Sequence, residues 1–555
     1  MAASSADVYG LLESPQMRRW NTASKVKKLK TITDFPRLEV WNYDACPHHD
    51  KPTPQCSYRA CGGDLYMHQK KTAVFSYMGR KTIVASSTGV GKTSSALATL
   101  ALCHHYGEEV RAVAIVPSTA VLQWTNEIKR WAPGFTVASV PPKTPKKQRL
   151  TTYASKWNIL VIGYHVFSRD YSHLMKCGVK QAIVDDVDPI LDYRNQTHDA
   201  IATLTDECDL VVIMNATISS MRAEQVYSAT NLIGGSSVWG TITNFTRNYV
   251  KKEKVWIKNR KGQVKQTFQT VGYKNLTSMM KKLRPMLIRY SYEDIADDLS
   301  IPRVIPQEVY LEMSPAQKKR MEELKSGIRT ILNDKGKLAA TKAVTALSMY
   351  TFACQITSGL FALKTSSKSY EPDGPQASPK ADWLMDKLQG EWSEEKVIVY
   401  VKFKGSQLAL GRRLEAAGIG YSTISGAVTD PQERQDEIDR FWNDPNTRVI
   451  LISRSGERSL NLQNARITVV YDQIMNPGVF TQVAGRSRRV GSEHDIVLIV
   501  SLLMEDSHEE RIPLALASRQ AFQDYVYDET LDPDDNGTYL FQKLSPQDLL
   551  KLLAP

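Results

Sequence analysis

The sequence predicts an α/β protein with two lobes, each built around a parallel sheet. Short apolar runs rich in Val and Ile alternate with stretches of helical spacing in the first part of the chain, and the alternation restarts after residue 395. Strands that are buried on both faces and separated by helices are typical of parallel, doubly wound sheets. We expect strands at 82–85, 112–116, 159–164, 181–185 and 210–214 in the first lobe, and at 396–401, 448–453, 467–472 and 496–501 in the second.

Two segments interrupt this alternation. Residues 222–363 match neither set of strands and are predicted to be inserted, with a basic hairpin at about 245–275 and helices through most of 314–361. Residues 364–378 are polar and rich in Pro, Gly and Ser, which is typical of an exposed linker. The predicted divisions are a basic N-terminal segment (1–62), a first lobe (63–305), a second lobe (306–505) and an acidic C-terminal extension (506–555).

The composition indicates a folded globular protein with a mild positive charge. Of 555 residues, 42% are hydrophobic and 23% are charged, and 71 Lys and Arg against 59 Asp and Glu leave a net charge of +12. These values exclude collagen-like and wholly disordered classes, and the charge suits a polyanionic partner. No apolar run reaches the length of a membrane span, and residues 1–10 lack the pattern of a secretory signal. The seven cysteines, an odd number, favour reduced thiols, so we expect a cytoplasmic protein without a membrane partner.

A glycine-rich loop is the clearest chemical motif. The residues S-S-T-G-V-G-K-T, 86–93, follow a predicted buried strand and precede a helix-like stretch. In that context, glycines let backbone N–H groups close around phosphate oxygens, and the helix N-terminus favours an anion. Lys92 is expected to reach the β- and γ-phosphates of ATP, and the Thr93 hydroxyl to bind Mg²⁺. The predicted nucleotide-binding residues of this loop are Thr88, Gly89, Val90, Gly91, Lys92 and Thr93.

Residues 46–61 contain three of the seven cysteines and two histidines. Cys46, His48, Cys56 and Cys61 form a candidate tetrahedral Zn²⁺ site. Their spacing matches none of the common Cys-x-x-Cys pairs, so a loop with coincidental thiols stays open as the alternative.

Further motifs follow in a characteristic order. The segment 65–71 contains a glutamine upstream of the loop, and A-I-V-P-S-T-A-V-L-Q-W-T-N-E-I-K-R-W lies downstream at 114–131. L-R-P-M-L-I-R-Y at 283–290 precedes D-L-S-I-P at 298–302. From about residue 65 to about residue 512, the chain resembles the Swi/Snf-type family of superfamily-two helicases. The resemblance implies two RecA-like lobes, with residues 283–302 in the segment that joins them.

The resemblance also implies roles for residues of the first lobe. Gln69 stands where the family holds the adenine with a glutamine amide. The turn and helix of the 114–131 motif face the DNA backbone in the family, which makes Ser118, Thr119 and Gln123 candidate DNA contacts.

The second lobe carries the strongest family signal. It contains S-G-E-R-S-L-N-L-Q-N-A at 455–465, D-Q-I-M-N-P at 472–477 and Q-V-A-G-R-S-R-R-V-G at 482–491. By the family pattern, Arg486 and Arg489 stabilise the charge that develops on the γ-phosphate, and Gly456 helps to bind the nucleotide. Arg488 stands at a position that the pattern leaves variable, and it is not expected to share this role.

The motif for the metal and the base departs from the family. Residues 184–188 read V-D-D-V-D, whereas the family has Asp-Glu-x-His. The resemblance implies that Asp185 orients Mg²⁺ and that Asp186 activates water in place of the usual glutamate. Aspartate is one methylene shorter, and a displacement of about 1 Å can cost about 100-fold in rate, so we expect either a slow ATPase or a compensating backbone. Asp188 replaces the histidine that couples ATP to the DNA side.

Basic residues cluster in the predicted hairpin around Trp256. Residues 251–265 include seven Lys and Arg. Such clusters neutralise phosphates in nucleic-acid-binding proteins, although basic runs are also common on solvated surfaces. Because the inserted protrusions of Swi/Snf-type proteins lie near DNA, we predict that Lys258, Arg260 and Lys261 contact it.

The resemblance implies an ATP-dependent DNA translocase that uses ATP and Mg²⁺ and moves along duplex DNA. A compact bacterial or viral member is expected, located in the cytoplasm or, if viral, in the host cytoplasm. One alternative is a helicase that separates or anneals strands of DNA or RNA. Another is a DNA-binding clamp with a degenerate ATPase, which the motif at 184–188 suggests. A nuclease-coupled motor is disfavoured, because no separate cluster of carboxylates with a lysine stands out.

Overall fold

The chain forms two parallel sheets and one antiparallel hairpin. The computed structural model describes residues 35–44, 64–87, 89–216, 224–234, 236–258, 264–291, 293–295, 302–333, 340–359, 378–425, 430–453, 462–474, 477–488, 492 and 494–512.

The first sheet contains seven strands within the described residues, all of them parallel, in the order β3-β4-β2-β5-β6-β1-β9. From β2, the sheet extends through β4 to β3 on one side and through β5, β6 and β1 to β9 on the other, so the chain builds the sheet in both directions. Its strands are β1 (Lys81–Val84), β2 (Ala112–Val116), β3 (Val137–Val140), β4 (Ile159–Gly163), β5 (Gln181–Asp185), β6 (Leu210–Met214) and β9 (Leu287–Ile288).

Both faces of the first sheet are covered by helices. The alternate residues of β2 show this, because Ala114 packs into one core cluster while Val113 and Ile115 pack into another. All five residues of the strand are buried, which explains its continuous apolar run. The helices of this part are α1 (Met67–Gly79), α2 (Lys92–His105), α3 (Val121–Trp131), α4 (Lys146–Ala154), α5 (Tyr164–Leu174), α6 (Gln196–Glu207), α7 (Glu224–Asn231), α8 (Ser236–Trp239), α9 (Ile242–Tyr249) and α10 (Leu276–Leu283).

The second sheet contains six described strands, again all parallel, in the order β10-β15-β14-β11-β13-β12. The alternate residues of its central strand β11 pack on opposite faces, with Val399 in one cluster and Ile398 in another. The strands are β10 (Arg303–Leu311), β11 (Val397–Tyr400), β12 (Gly420–Ile424), β13 (Thr447–Ile452), β14 (Ile467–Val470) and β15 (Ile496–Met504). The helices are α11 (Pro315–Asn333), α12 (Ala340–Thr357), α13 (Pro379–Gln389), α14 (Lys404–Ala416), α15 (Pro431–Asn443) and α16 (Pro477–Ala484).

The predicted basic hairpin is present as β7 (Val250–Lys258) and β8 (Val264–Tyr273), which pair antiparallel. Its base is anchored in the first lobe, since Val250 and Tyr273 are buried and the Lys274 N–H donates to the Tyr249 carbonyl over 3.0 Å. The hairpin therefore projects from a fixed base.

The sheets confirm the predicted α/β class with two parallel sheets, but they correct the interpretation of residues 222–363 as an insertion. That region supplies β9, which pairs with β1 of the first sheet, and β10, which pairs with β15 of the second. The predicted boundary between residues 305 and 306 falls inside β10. The second sheet therefore begins at least three residues earlier than the sequence indicated, with Arg303 already paired to Ile496.

In the described ranges, no helix combines the length and the apolar character that crossing a lipid bilayer requires.

Candidate functional site

The carboxyl ends of three neighbouring strands bring the main predicted residues of the first lobe together. Strand β1 leads into the glycine-rich loop, β5 ends at Asp185, and β6, which lies between them, leads into Asn215. The Asn215 N–H donates to the Val84 carbonyl over 3.0 Å, and the Asp186 N–H donates to the Met214 carbonyl over 2.9 Å. This edge of a parallel sheet is where α/β proteins bind ligands.

The glycine-rich loop has the backbone that phosphate binding requires. Gly89 and Gly91 have φ values of 79° and 81°, a region that residues with a Cβ rarely adopt. Helix α2 begins at Lys92, so its first N–H groups point to the loop. The Lys92 ammonium donates to the carbonyls of Ser86 and Ser87, over 2.8 and 2.9 Å. The loop therefore fits a phosphate group with a cation at its side.

Gln69 lies against this loop. Its Nε2 donates to the Val90 carbonyl over 3.4 Å, and a Cβ built on Gly91 would lie only 2.0 Å from that nitrogen. The same carbonyl is 2.8 Å from Nε2 of the buried His68. Gln69 and His68 thus contact the loop's backbone, and a side chain at position 91 would have to displace the Gln69 amide.

Ser86 replaces the glycine of the stricter loop pattern, and its hydroxyl has a structural use. Ser86 Oγ accepts a hydrogen bond from the Tyr290 N–H over 3.0 Å, and the Ser87 N–H donates to the Tyr290 carbonyl over 2.9 Å. The 283–290 segment, which we expected to join the lobes, is therefore hydrogen-bonded to the start of the phosphate loop.

Asp185 and Lys92 are near enough to interact electrostatically. Burial and the neighbouring Asp186 raise the pKa of Asp185 to about 6, while the Lys92 charge works in the opposite direction. The Trp124 indole N–H donates to Asp185 Oδ2 over 2.9 Å, which also favours the charged carboxylate. The Tyr164 hydroxyl donates to the backbone carbonyl of Asp185 and, over 3.1 Å, to that of Asp186.

The two remaining carboxylates of the 184–188 motif have distinct surroundings. Asp186 has a φ of 56°, in the left-handed region, so its backbone is turned away from the extended course of β5. Asp188 Oδ1 accepts a hydrogen bond from Asn215 Nδ2 over 2.9 Å. Asp188, which replaces the family histidine, is thus hydrogen-bonded to the residue that directly follows β6.

The oxygen donors at this edge of the sheet fit Mg²⁺ together with a nucleoside triphosphate. Thr93 provides a hydroxyl in the first turn of α2, and Asp185 provides a carboxylate, both of them hard oxygen ligands. Mg²⁺ keeps several waters and commonly binds through one carboxylate plus substrate phosphates. Within the described residues, no cluster of three or more His, Cys, Asp and Glu side chains forms a closed metal site.

The candidate DNA contacts of the first lobe follow β2 at the same edge of the sheet. Ser118 and Thr119 lie in a short 3₁₀ turn, and Gln123 lies in the first turn of α3. Thr119 is exposed, and the other two are half-buried. A Cβ on Gly163 would lie 2.7 Å from Ser118 Oγ, so the glycine that ends β4 leaves room for this turn.

In the second lobe, the structure describes Arg486 and Arg488 of the arginine motif. Arg486 follows α16 and is 3% exposed, and its N–H donates to the Val483 carbonyl over 3.1 Å. Arg488 Nε donates to the Pro302 carbonyl over 3.3 Å, which gives Arg488 a contact at the start of the second lobe.

Several predicted residues lie outside the described residues. For Lys258, the backbone is described at the end of β7 but the side chain is not. The zinc prediction therefore stays a prediction, which metal analysis of the purified protein tests. The predicted residues outside the described ranges are Thr88, Gly456, Arg489, Arg260, Lys261 and the four candidate zinc ligands Cys46, His48, Cys56 and Cys61.

The structure also reveals site residues that the sequence did not single out. His68, Trp124, Tyr164 and Tyr290 contact the loop or Asp185, yet none of them was predicted to act. Tyr164 directly follows the carboxyl end of β4, so its position beside a strand end was the one available signal.

Comparison with protein families gives two matches. The family described as SNF2-related domain matches residues 48–360, more than half of the chain, and the helicase conserved C-terminal domain matches residues 379–491. The chain belongs to the SNF2-related family. The resemblance predicted from the sequence motifs is therefore confirmed.

Individual SNF2-related proteins resemble this chain at low identity. The human DNA excision repair protein ERCC-6-like is 22% identical over 90% of this chain and 43% of its own length. The putative ATP-dependent helicase/translocase YwqA of Bacillus subtilis is 22% identical over 80% of this chain and 46% of its own length. The chain thus spans less than half the length of these curated relatives.

Among solved structures, the Sulfolobus solfataricus SWI2/SNF2 ATPase core in complex with dsDNA is 19% identical. The match covers 93% of this chain and 99% of the Sulfolobus solfataricus chain, with a TM-score of 0.39.

Proposed function

We propose that this chain is a motor that hydrolyses ATP to move along duplex DNA. The observation that carries the proposal is that Lys92 and Asp185 lie at the same edge of an all-parallel sheet, where they interact electrostatically. Gln69 is hydrogen-bonded to the loop that leads into Lys92. Membership of the SNF2-related family and the helicase names of its relatives support ATP hydrolysis as the reaction.

Each residue then has a defined task. Lys92 and the N–H groups of the loop hold the phosphates, and Gln69 contributes to the nucleotide site through Val90. Thr93 and Asp185 would hold Mg²⁺, which, when bound, neutralises phosphate charge. Asp186 orients the attacking water, and Arg486 and Arg489 stabilise the charge on the γ-phosphate from the second lobe.

The division of the chain follows from the sheets. We propose a first lobe that ends before β10 and a second lobe that begins with it, so that the boundary lies near residue 302 rather than at 305. The basic hairpin belongs to the first lobe, and Lys258, Arg260 and Lys261 remain its proposed DNA contacts. We also propose a cytoplasmic location.

The alternative of a clamp with a degenerate ATPase has one observation in its favour. The Asp186 side chain is one methylene shorter than the family glutamate, and its backbone is in the left-handed region. Both features change where its carboxylate lies relative to an attacking water. A clamp would bind ATP and DNA without turnover, whereas the motor turns ATP over faster when DNA is present.

Movement along duplex DNA is tested by displacement of a third strand from a triplex. A translocase removes the third strand in the presence of ATP and leaves the underlying duplex intact. A helicase that separates strands would instead release one strand of the duplex. Displacement of the third strand without strand separation supports the proposal, and strand separation alone supports the helicase alternative.

A further inference from the structure

An open groove of about 860 Å³ lies at the base of the hairpin, apart from the phosphate loop. Helix α9 forms one wall through Ile242, Thr246 and neighbouring residues, and the root of the hairpin forms the other. The helical wall is anchored, because Phe245 and Tyr249 of α9 are buried in the core and their ring centroids lie 5.0 Å apart.

Cations outnumber acids in the described lining of the groove. Its charged residues are four cations, Arg247, Lys251, Lys252 and Lys274, and one acid, Glu253. All four cations are exposed, and within the described part of the chain none has a carboxylate within ion-pair distance. An excess of unpaired cations on one concave surface attracts a polyanion and binds its phosphates.

An exposed aromatic ring lies on the same surface. Phe268 of β8 is 62% exposed although it lines the groove, and it pairs across the hairpin with Lys254. Because opposite residues of an antiparallel pair share a face, Phe268 and Lys254 project from the same side of the hairpin. A large apolar ring that remains in solvent beside a row of cations is the combination found in proteins that bind single strands.

The combination selects between forms of nucleic acid. In a duplex, the faces of the bases are covered by their neighbours, so an aromatic ring cannot stack on them unless a base leaves the helix. In a single strand, the base faces are available, and base–aromatic stacking adds to phosphate binding. Cations spread over both walls of the groove also suit several successive phosphates better than one.

The groove is connected to the ATP site through the chain. A smaller polar pocket shares three lining residues with it, Tyr193, Thr246 and Lys252. Leu191 and Asp192 line that pocket, and they directly follow the 3₁₀ turn Asp188–Ile190, which itself follows Asp185 and Asp186. Tyr193, which lines the groove itself, lies in the same connection between β5 and α6 as Asp186 and Asp188.

We propose that this groove binds a single-stranded segment of nucleic acid, with its phosphates on Arg247, Lys252 and Lys274 and a base stacked on Phe268. The site is separate from the residues that we propose for ATP and duplex binding. It rests on the geometry of the groove and not on the proposed motor activity.

The test is the affinity of the full chain for a fluorescent oligothymidylate, measured by anisotropy without ATP. Phe268→Ala is expected to weaken single-strand binding by about fivefold or more, because one stacked base is lost. Arg247→Ala and Lys274→Ala should each lower the magnitude of the slope of log affinity against log salt concentration by about 0.7, the value for one phosphate contact to a single strand. Phe352→Ala is the matched control, since Phe352 is a comparably exposed ring, 57% exposed, on α12.

The outcomes separate the groove from the motor. Loss of single-strand affinity in Phe268→Ala but not in Phe352→Ala, with duplex affinity unchanged, supports the proposal. Unchanged single-strand affinity, or an equal loss of duplex affinity, would overturn it. Absence of ATP hydrolysis by the intact protein would count against the motor alone, because single-strand binding is measured without ATP.

Discussion

At the scale of single residues, Gly91 is the position of the phosphate loop at which both the backbone and a neighbouring side chain disfavour substitution. Its φ of 81° disfavours any side chain, and Gln69 Nε2 occupies the space that a Cβ needs. Two separate constraints therefore act on one residue, one from the backbone and one from a neighbour.

Gly91→Ala is expected to weaken ATP binding more than the backbone cost alone would, because the new methyl group must displace the Gln69 amide from the loop. Gly107→Ala is the matched control, since Gly107 has a φ of 78° but nothing within 4 Å of its Cβ position. That control carries only the cost of the left-handed backbone, roughly 1–2 kcal/mol of stability. Binding of a fluorescent ATP analogue measures both variants, and equal losses would show that the contact with Gln69 is irrelevant.

Trp124 is expected to position Asp185, since its indole N–H is directed at the carboxylate that we assign to Mg²⁺. Trp124→Phe removes this donor and should lower ATP hydrolysis by roughly 10–100-fold, as is typical of changes behind a metal ligand. Because the donor favours the charged carboxylate, its loss raises the pKa of Asp185 further above its usual value. Because protons and Mg²⁺ compete for this carboxylate, the acid side of the pH–rate profile should move to higher pH when Mg²⁺ is limiting.

Trp131→Phe is the control for this prediction, because Trp131 lies on the same helix and donates to Glu127, away from the site. A profile of Trp124→Phe that matches the native one would contradict a positioning role.

Some site residues can be predicted from the spacing of short sequence motifs, and others cannot. Lys92 and Asp185 follow strands within short motifs, so local patterns suffice to predict them. The bond from Trp124 to Asp185 joins positions 61 residues apart, and the bond from Tyr290 to Ser86 joins positions 204 apart. Such contacts depend on the order of strands in the sheet, which the motifs do not encode.

At the scale of elements, the same distinction explains which strands the sequence revealed. The central strands are buried on both faces and appear as apolar runs, as in β2 and β11. Strand β10 lies at the edge of its sheet, is mostly exposed and contains Pro306, so it lacks that signal. Strand β9 has only two residues, too few for any periodicity.

A buried ion pair joins the start of α13 to the turn after β15. Lys380 is fully buried, and its ammonium donates to both carboxylate oxygens of Glu509, over 2.9 and 2.8 Å, and to the Tyr471 carbonyl. Glu509 also accepts a hydrogen bond from the Met504 N–H over 2.9 Å. The pair holds the last described turn on the second lobe.

Lys380→Met should lower the free energy of unfolding of the second lobe by about 3–5 kcal/mol, because it leaves the Glu509 carboxylate buried without a cation. The double variant with Glu509→Leu should recover much of that loss, since no unpaired charge remains. Lys387→Met, on the same helix, breaks an exposed pair with Glu391 and should cost less than about 1 kcal/mol. Urea unfolding measures all three, and equal costs for the two lysines would contradict the account.

His508 makes the same region sensitive to acid. Burial lowers the pKa of His508 from 6.5 to about 4, although the charge of Glu509 opposes this shift. The unfolded chain therefore binds a proton at higher pH than the folded chain does. Stability from this residue is present above about pH 6.5 and is lost as the pH falls towards 4.

The loss is on the order of 3 kcal/mol at most. The neighbouring Asp472 acts in the opposite sense, because burial raises its pKa and its folded form takes up a proton first. His508→Gln isolates the histidine. The difference between the unfolding free energies of the native chain and the variant should shrink as the pH falls from 6.5 to 4. A difference that stays constant across this range would refute the assignment.

At the scale of the whole molecule, the two parallel sheets carry complementary parts of the proposed ATP site. The first holds the phosphate loop and the carboxylates, and the second holds Arg486. Cations from both sides would stabilise the charge that develops on a transferred phosphate, so the proposed reaction uses both lobes. The positive excess of the sequence includes the cations of the hairpin and its groove, which suit a nucleic acid.

The most direct test of the central claim is steady-state ATP hydrolysis with and without duplex DNA, for the native chain and for Lys92→Ala. Lys318→Ala, on the exposed surface of α11, is the control for loss of a lysine. We expect hydrolysis that duplex DNA accelerates in the native chain and in Lys318→Ala, and that Lys92→Ala abolishes. Hydrolysis that persists in Lys92→Ala, or no hydrolysis by the native chain with any DNA, would contradict the account.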